Sequence, residues 1–259
     1  PLHPPAQPGQ SFAEIDTPAL ILDLDAFERN LVTMAAYTQG HGVRLRPHAK
    51  THKSPEIALR QIAHGAVGQC VQKVSEAEVL VEGGVTDVLV SNEITGAAKL
   101  DRLAKLARQA RIGLCVDHLD GIREAAEAAA RHDVVLDVLV EIDVGGRRCG
   151  VAPGETAVRL AEAIARSNTL RFGGLQAQSD ARRIDHNRLS DDAARIEPGK
   201  PSGKGGSGQP DTFCEFRIVQ ARIVQKTAMI FRSILSRVAL SASIIDLVIQ
   251  YRAKFYRQR

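Results

Sequence analysis

Through residue 177, short runs rich in Val, Ile and Leu alternate with longer amphipathic stretches rich in Ala, Leu, Glu and Arg. Roughly six or seven such units occur, each of about 25 residues, which is the pattern of strands joined by helical crossovers. Because such crossovers produce parallel sheets, the pattern limits the fold to a parallel (β/α) barrel or an open doubly wound sheet. No G-x-G-x-x-G motif follows the first predicted strand, so the barrel is favoured.

Capping residues define where several helices begin. Ser54 and Pro55 suit the N-cap and the first position of a helix at 55–64, and Asp25 is the predicted cap of a helix at 26–38. The predicted strands are 19–23, 43–46, 67–72, 87–91, 112–116, 136–143 and 170–176, and the predicted helices are 26–38, 55–64, 76–82, 97–109, 121–131 and 156–166.

Charge is distributed unevenly along the chain. The whole sequence has a net charge of +4 and a pI near 9.0. Residues 1–177 hold 19 Lys and Arg against 22 Asp and Glu, whereas residues 178–259 hold 15 against 8. The basic excess therefore belongs to the C-terminal part alone. The first part also lacks aromatic residues that alternate with basic ones, the stacking platform of a single-strand binder, so no nucleic-acid partner is expected.

The cysteines indicate a reducing compartment. They form no C-x-x-C pair and no His/Cys group at zinc spacing, and we interpret all four, Cys70, Cys115, Cys149 and Cys214, as buried small hydrophobic residues. The proline-rich N-terminal segment lacks the basic-then-apolar pattern of a signal peptide, and no uncharged apolar run of about 18 residues occurs. We therefore expect a cytoplasmic protein without an integral membrane segment.

A lysine between two histidines follows the second predicted strand. Residues 46–53 read R-P-H-A-K-T-H-K, and Lys50 lies where the strand is expected to end. The C-terminal mouth of a barrel strand is where an amine must lie to form a Schiff base with a cofactor, so Lys50 is the leading catalytic candidate. A strand that ends in a solvated basic turn is the alternative.

Polar residues also end the later predicted strands. Taken singly, each has an ordinary explanation: Asn92 and Asp117 could cap helices, and Arg147 or Arg148 could be surface charges. In a barrel the strand C-termini gather at one face, so together these residues are expected to line a mouth for an anionic, polar ligand. The set is His48, Lys50, Gln72, Lys73, Asn92, Glu93, Asp117, His118, Asp143, Arg147, Arg148 and Gln176.

Five ordered motifs resemble one enzyme family. They are R-P-H-A-K-T-H-K-S, Q-C-V-Q-K-V-S-E-A-E, D-V-L-V-S-N-E, E-I-D-V-G-G-R-R-C-G-V and F-G-G-L-Q-A. In order and spacing they resemble the fold type III pyridoxal-phosphate enzymes with an alanine-racemase-like barrel, and within these the D-threonine aldolase, 3-hydroxy-D-aspartate aldolase and D-serine dehydratase group. The resemblance covers about residues 16–177. It implies an incomplete (β/α)8 TIM-type barrel with about six of eight strands, and it assigns the predicted strand 19–23 to the second, β-rich domain of that fold.

The resemblance implies roles for individual residues. Lys50 matches the family's Schiff-base lysine, Arg148 an arginine near the cofactor ring, and Gln72 a strand-end residue that faces the cofactor. A neighbouring cation, such as charged His52 or Lys53, together with desolvation favours the uncharged, nucleophilic form of a lysine. The expected catalytic residue is Lys50, and the expected cofactor-binding residues are Lys50, His48, Gln72, Arg148 and Gln176.

The implied reaction is cleavage of a D-β-hydroxy-α-amino acid to glycine and an aldehyde by a pyridoxal-phosphate-dependent lyase. If Cα–H and hydroxide are lost instead, the same site becomes a D-serine dehydratase, and amino-acid racemase chemistry is a further alternative. A non-catalytic pyridoxal-phosphate-binding or partner-binding protein on an incomplete barrel is the alternative from a different class. A D-amino acid is the expected small-molecule partner, and a homodimer is left open.

The resemblance ends after residue 177. Beyond it we find neither the tyrosine and glycine-containing segment of the family nor its glycine-rich phosphate loop, and His186 is out of register. The last two barrel strands and the histidine with a cysteine or acidic residue that ligate a divalent metal in the family are also missing, so no metal ligands are expected here. The chain is therefore expected to be a truncated, impaired enzyme.

The C-terminal part has two readings. Residues 216–256 mix apolar residues with regularly spaced Arg and Lys, as in a basic amphipathic helix on an anionic membrane or a partner. The favoured alternative is a shifted reading frame or misjoined gene, because composition, charge and motif match all change together. The expected organisation is an N-terminal extension at 1–15, a partial barrel at 16–177, a polar linker at 178–213 and a basic amphipathic tail at 214–259.

Overall fold

A computed structural model of the chain describes residues 6–19 and 21–178. Within these residues, five parallel strands form one sheet in the order β1-β2-β3-β4-β5, and a helix follows each of the first four strands. Strands that pair in chain order are typical of a (β/α) barrel, whereas a doubly wound sheet reverses its order. The strands are β1 (Gln69–Val71), β2 (Asp87–Glu93), β3 (Arg111–Val116), β4 (Leu136–Ile142) and β5 (Leu170–Ala177).

The helices lie close to their predicted positions. Ser54 caps α2 by accepting the Ile57 amide, and Pro55 is its first residue, as predicted. The cap predicted for α1 is wrong: Asp23, not Asp25, accepts the Ala26 amide at 2.9 Å, because the helix begins earlier. A short 3-10 helix precedes α1. The helices are α1 (Leu24–Gly40), α2 (Pro55–Ala63), α3 (Val74–Glu82), α4 (Ala97–Leu106), α5 (Leu119–Arg131) and α6 (Glu155–Ala165).

The sequence before Lys50 runs alongside β1 without forming a full strand. His48 makes an isolated parallel bridge with Cys70. The Cys70 amide donates to the Pro47 carbonyl, and the Ala49 amide donates to the Cys70 carbonyl, both at 2.7 Å. Pro47 has no amide hydrogen, so it cannot continue the ladder. The strand predicted at 43–46 is therefore an extended segment shifted a few residues toward Lys50.

The predicted strand at 19–23 forms no β-ladder among its described residues, and Ile21 and Leu22 are exposed. Residue 20 lies outside the described residues, as do residues 179–259. The predicted linker, the amphipathic helix at 216–256 and the frame change therefore stay predictions, together with the predicted domain limits.

The sheet has an apolar layer on each face. One side packs against the helices, and the other carries one inward residue from each of β1 to β4: Cys70, Leu89, Cys115 and Leu139, all buried. Gly113 lies between them, where a Cβ atom would lie 3.0 Å from Leu89. Cys70 and Cys115 are thus buried small residues as predicted. Cys149 is half-buried, and Cys214 lies outside the described residues.

The N-terminal ends of the strands carry an ion-pair ladder. Asp87 accepts from Arg46 at 2.7 Å, and Asp137 accepts from both Arg111 and Arg171 at 2.5 Å. These contacts lie at the opposite end of the sheet from Lys50.

Among the helices of residues 6–19 and 21–178, none combines the length and the hydrophobicity that a transmembrane span requires.

Candidate active site

Lys50 lies in a tight turn directly after the extended segment. Its amide donates to His48 Nδ1 at 3.2 Å, and the Lys53 amide donates to the Ala49 carbonyl at 2.8 Å. The Lys50 side chain is exposed, and within residues 6–19 and 21–178 its ammonium group has no hydrogen bond or ion pair. The turn therefore holds the backbone of Lys50 in place and leaves its amine available.

His48 supports this turn as a neutral imidazole. Burial, followed by the charge of Lys50, lowers the pKa of His48 to about 4. Because Nδ1 accepts from the Lys50 amide, the ring proton lies on Nε2, which is 3.5 Å from Ser91 Oγ. His48 therefore contacts both the Lys50 turn and strand β2.

The cation expected beside Lys50 is not His52. Burial lowers the pKa of His52, so the imidazole is neutral near pH 7, and its Nδ1 accepts the Ser54 amide at 3.1 Å. The prediction that charged His52 acts on Lys50 is therefore wrong. Lys53 is the cation of this turn, and it forms an ion pair with Glu76.

Gln72 follows β1, and both its backbone amide and its backbone carbonyl form hydrogen bonds with side chains of other elements. The Gln72 amide donates to Glu76 Oε2 at 2.9 Å, and its carbonyl accepts from Asn92 Nδ2 at 3.3 Å. The side-chain amide of Gln72 is half-buried and makes no hydrogen bond within the described part of the chain. Asn92 therefore positions Gln72 instead of capping a helix, and the N-cap of α4 is Gly96.

Three acidic residues gather at the C-terminal ends of β2, β3 and β4. Glu141 is 3% exposed, and burial followed by the charge of Glu93 raises its pKa to about 7. Burial also raises the pKa of Glu93, and Asp117 adds to this effect. The Cys149 thiol lies 3.9 Å from Glu141 Oε1, and burial with both glutamates raises its pKa to about 12. At neutral pH the Cys149 thiol is therefore protonated, and Glu141 lies close to its own pKa.

Sequence reasoning identified Glu93 and Asp117 but missed Glu141, which lies inside β4 instead of after it. The available signal was a charged residue within an apolar run, because such a residue must be paired or protonated when buried. Across residues 6–19 and 21–178, no group of three or more His, Cys, Asp and Glu side chains is arranged to hold a metal ion.

Arg148 lies on an anchored loop after β4. Asp143 Oδ1 accepts the Arg147 amide at 3.0 Å, and Asp117 Oδ2 accepts the Gly150 amide at 3.1 Å. The Arg148 side chain is exposed, and its charge opposes the raised pKa of Glu93. The loop therefore holds Arg148 beside the carboxyl groups of the strand ends.

The remaining predicted site residue, Gln176, is buried at 2% exposure and lies opposite Glu141 in the register of β4 and β5. The structure brings Lys50 and His48 into direct contact, whereas none of the hydrogen bonds or ion pairs between described residues joins Arg148 to Lys50. The functional roles of all five predicted residues remain predictions.

The family model for the alanine racemase N-terminal domain matches residues 22–186. This chain belongs to that family. It is 47% identical over 195 residues to the D-threonine aldolase of Arthrobacter sp., covering 75% of this chain and 51% of that protein. It is 48% identical over 179 residues to the 3-hydroxy-D-aspartate aldolase of Paracoccus denitrificans, covering 68% of this chain and 46% of that protein.

A solved member of this family has the same fold. The crystal structure of D-threonine aldolase from Filomicrobium marinum matches with a TM-score of 0.66 and 59% identity, covering 68% of this chain and 47% of that one. These matches confirm the family resemblance and the alanine-racemase-type fold. The chain spans about half the length of the relatives it matches.

Proposed function

We propose that this chain is the barrel part of a pyridoxal-phosphate-dependent lyase that cleaves D-β-hydroxy-α-amino acids to glycine and an aldehyde. The observation that carries the proposal is the Lys50 amine, which is exposed and has no partner among the described residues. Its backbone is fixed by His48 at the end of a segment that pairs with β1. The similarity to D-threonine aldolase supports the substrate class.

The residues at this end of the sheet suit the cofactor in part. Lys50 supplies an amine, Arg148 supplies a guanidinium group on an anchored loop, and Gln72 supplies a half-buried amide without a hydrogen bond in the described residues. The glycine-rich phosphate loop of the family has no counterpart in the sequence after residue 177. When bound, pyridoxal phosphate supplies an electron sink for cleavage of the Cα–Cβ bond.

Each of these side chains has a defined task in the proposal. Lys50 holds the cofactor covalently, and His48 orients Lys50 by accepting its amide without changing charge near neutral pH. Arg148 provides positive charge for the anionic groups of the cofactor or substrate. Gln72 offers hydrogen bonds from a peptide unit that Glu76 and Asn92 keep in place.

The proposed cellular context follows from the thiols. Cys70, Cys115 and Cys149 are free, and burial raises the pKa of each thiol. Unreactive, unpaired thiols support a reducing compartment, and we propose the cytoplasm. The proposed partner is a D-amino acid.

The experiment that tests the function is addition of pyridoxal phosphate to the purified 259-residue chain. We expect a visible absorbance band, and borohydride reduction followed by peptide mapping is expected to label Lys50. Lys50→Ala should lose the band and the label, whereas label on Lys53 or Lys73 would overturn the assignment.

The products formed from D-threonine then distinguish the lyase from the dehydratase and racemase alternatives. Glycine with an aldehyde supports the lyase, an oxo acid supports a dehydratase, and L-allo-threonine, the product of inversion at Cα alone, supports racemase chemistry. We expect weak cofactor binding and slow turnover, because the described residues pair only one side of β5 and leave the sheet unclosed. Colour without any turnover would favour the non-catalytic alternative.

A further inference from the structure

The Glu76 carboxylate joins two parts of the candidate site. Glu76 is the third residue of α3, and its side chain is 11% exposed. Oε2 accepts the Gln72 amide at 2.9 Å, and Oε1 lies 3.6 Å from Lys53 Nζ. One carboxylate therefore contacts both the end of β1 and the turn that holds Lys50.

An acidic residue in the first turn of a helix has an ordinary explanation. It stabilises the helix through the macrodipole, and in a capping box it accepts the amide of the N-cap residue. Here the N-cap is Lys73, whereas the carboxylate reaches one residue further back, to Gln72. The contact thus holds Gln72, the residue before the N-cap. Stabilising the helix alone would not require a contact with Gln72.

The turn itself needs external support. Lys53 has φ of +52°, a left-handed conformation that non-glycine residues rarely adopt and that persists where the surroundings hold it. Two contacts hold it here: the bond from the Lys53 amide to the Ala49 carbonyl, and the ion pair with Glu76. The charge of Glu76 also reaches His48, which accepts the Lys50 amide.

We propose that Glu76 is a positioning residue for the Lys50 turn, and that its ion pair with Lys53 selects Lys50 as the amine that takes the cofactor. The ion pair keeps the Lys53 ammonium group against α3 and fixes the turn that carries Lys50. A cofactor adduct at Lys53 would replace the three N–H donors of the ammonium group that Glu76 pairs with by an imine nitrogen that carries at most one. The cofactor part of this inference rests on the proposed function, whereas the pairing part does not.

The pairing is tested without cofactor by limited acetylation with acetic anhydride and peptide mass spectrometry. The rate at Lys53 is divided by the rate at Lys99, an exposed lysine of α4 without an ion pair in the described residues. We expect Glu76→Ala and Glu76→Gln to raise this ratio about two- to threefold, the size of effect given by a partly exposed pair. Glu78→Ala is the matched control, because Glu78 lies on the same helix and pairs with Arg102.

The selection is tested with pyridoxal phosphate and borohydride. In Glu76→Ala we expect label to spread from Lys50 to Lys53 and the Kd for the cofactor to rise about threefold or more. Lys53→Arg keeps the positive charge but removes the competing primary amine, so label should remain on Lys50 with unchanged affinity. Glu78→Ala should match the wild-type chain in both respects.

Two results would overturn the inference. One is an unchanged Lys53 acetylation ratio in both Glu76 variants at native circular dichroism, and the other is an equal change in Glu78→Ala. If the wild-type chain takes no label anywhere, the proposed function fails, and the acetylation ratio alone then decides whether Glu76 holds the turn.

Discussion

The Asp117 carboxylate accepts a hydrogen bond from the Gly150 amide at 3.1 Å, between residues 33 positions apart in sequence. Asp117 follows β3, whereas Gly150 closes the loop that carries Arg148. At Gly150, with φ of +95°, a Cβ atom would lie 2.7 Å from the carbonyl carbon of Ile142. The close approach needs glycine, and the Asp117 bond joins the loop to a neighbouring strand.

We therefore expect Asp117→Ala to free the Arg148 loop. Loss of a hydrogen bond to a charged acceptor weakens such an anchor by about 1.5–3 kcal/mol, or roughly tenfold or more in the open population. Limited trypsin digestion reports this directly, since cleavage after Arg147 and Arg148 requires the loop to open. Asp117→Asn retains an acceptor oxygen, so its digestion rate should lie between those of the wild-type chain and Asp117→Ala.

Asp120→Ala is the control for this experiment. Asp120 is exposed on α5, where its carboxylate pairs with His118 and Arg123, and among the described residues it makes no hydrogen bond or ion pair with the loop. Equal digestion rates for Asp117→Ala and Asp120→Ala would show that the Asp117 bond does not hold the loop.

The same residue shows where sequence reasoning stops. Local rules identified Asp117 as a helix-cap candidate, but His118 is the cap of α5 and accepts the Asp120 amide at 3.3 Å. An aspartate just before a helix fits the N-cap preference whether its carboxylate accepts from the first turn of that helix or from a loop about thirty residues away. Only the folded chain decides between them.

Glu141 gives a pH-dependent prediction. Its pKa rises from 4.5 to about 7 on folding, so between those values the native state retains a proton that the unfolded chain has released. Its contribution to the free energy of unfolding is therefore largest below pH 4.5, decreases as pH rises by up to about 1.4 kcal/mol per unit, and is lost above pH 7. Glu141→Gln mimics the protonated form and should stabilise the chain more at pH 8 than at pH 5.

Urea unfolding of both chains at several pH values checks this. The difference between them isolates Glu141 from His48, whose lowered pKa acts with the opposite sign between pH 4 and 6.5. We expect the difference to grow by about 1–3 kcal/mol between pH 4.5 and 7.5. Glu127→Gln, on the exposed face of α5, should show no such growth, and a pH-independent difference for Glu141→Gln would contradict the assignment.

His48 is predicted to act through its acceptor nitrogen. His48→Asn places a side-chain oxygen within reach of the amide two residues on, as in an Asx-turn, and should retain most of the cofactor label on Lys50. His48→Ala removes the acceptor and should lower the labelled fraction several-fold. The ring-proton shifts of His48 should stay constant between pH 5.5 and 8, and titration within that range would contradict a pKa of about 4.

The fold could be predicted further than the site because strand and helix periodicity is local, whereas contacts between strand ends are not. The βα pattern identified the five strands of residues 6–19 and 21–178, but it also predicted strands at 19–23 and 43–46 that do not form among these residues. Pro47 made the segment before Lys50 an irregular neighbour of β1, and the pattern alone could not show this. The buried position of Glu141, the neutral His52 and the role of Glu76 each depend on residues from another element.

The ion pairs of Asp137 at the N-terminal ends of the strands are expected to stabilise the sheet. Asp137 is buried and accepts from Arg111 and Arg171, whose side chains are about half exposed. Asp137→Ala leaves two arginines without their shared acceptor, and because solvent screens them we expect a loss of about 1–3 kcal/mol in the free energy of unfolding. High salt should reduce the difference in the free energy of unfolding between the wild-type chain and Asp137→Ala, since it screens the exposed guanidinium groups.

Glu127→Ala is the control. It removes an exposed pair with Arg123 and should change the free energy of unfolding by less than about 0.5 kcal/mol. Urea unfolding at low and high salt checks both, and equal losses in the two variants would show that the ladder does not stabilise this end of the sheet.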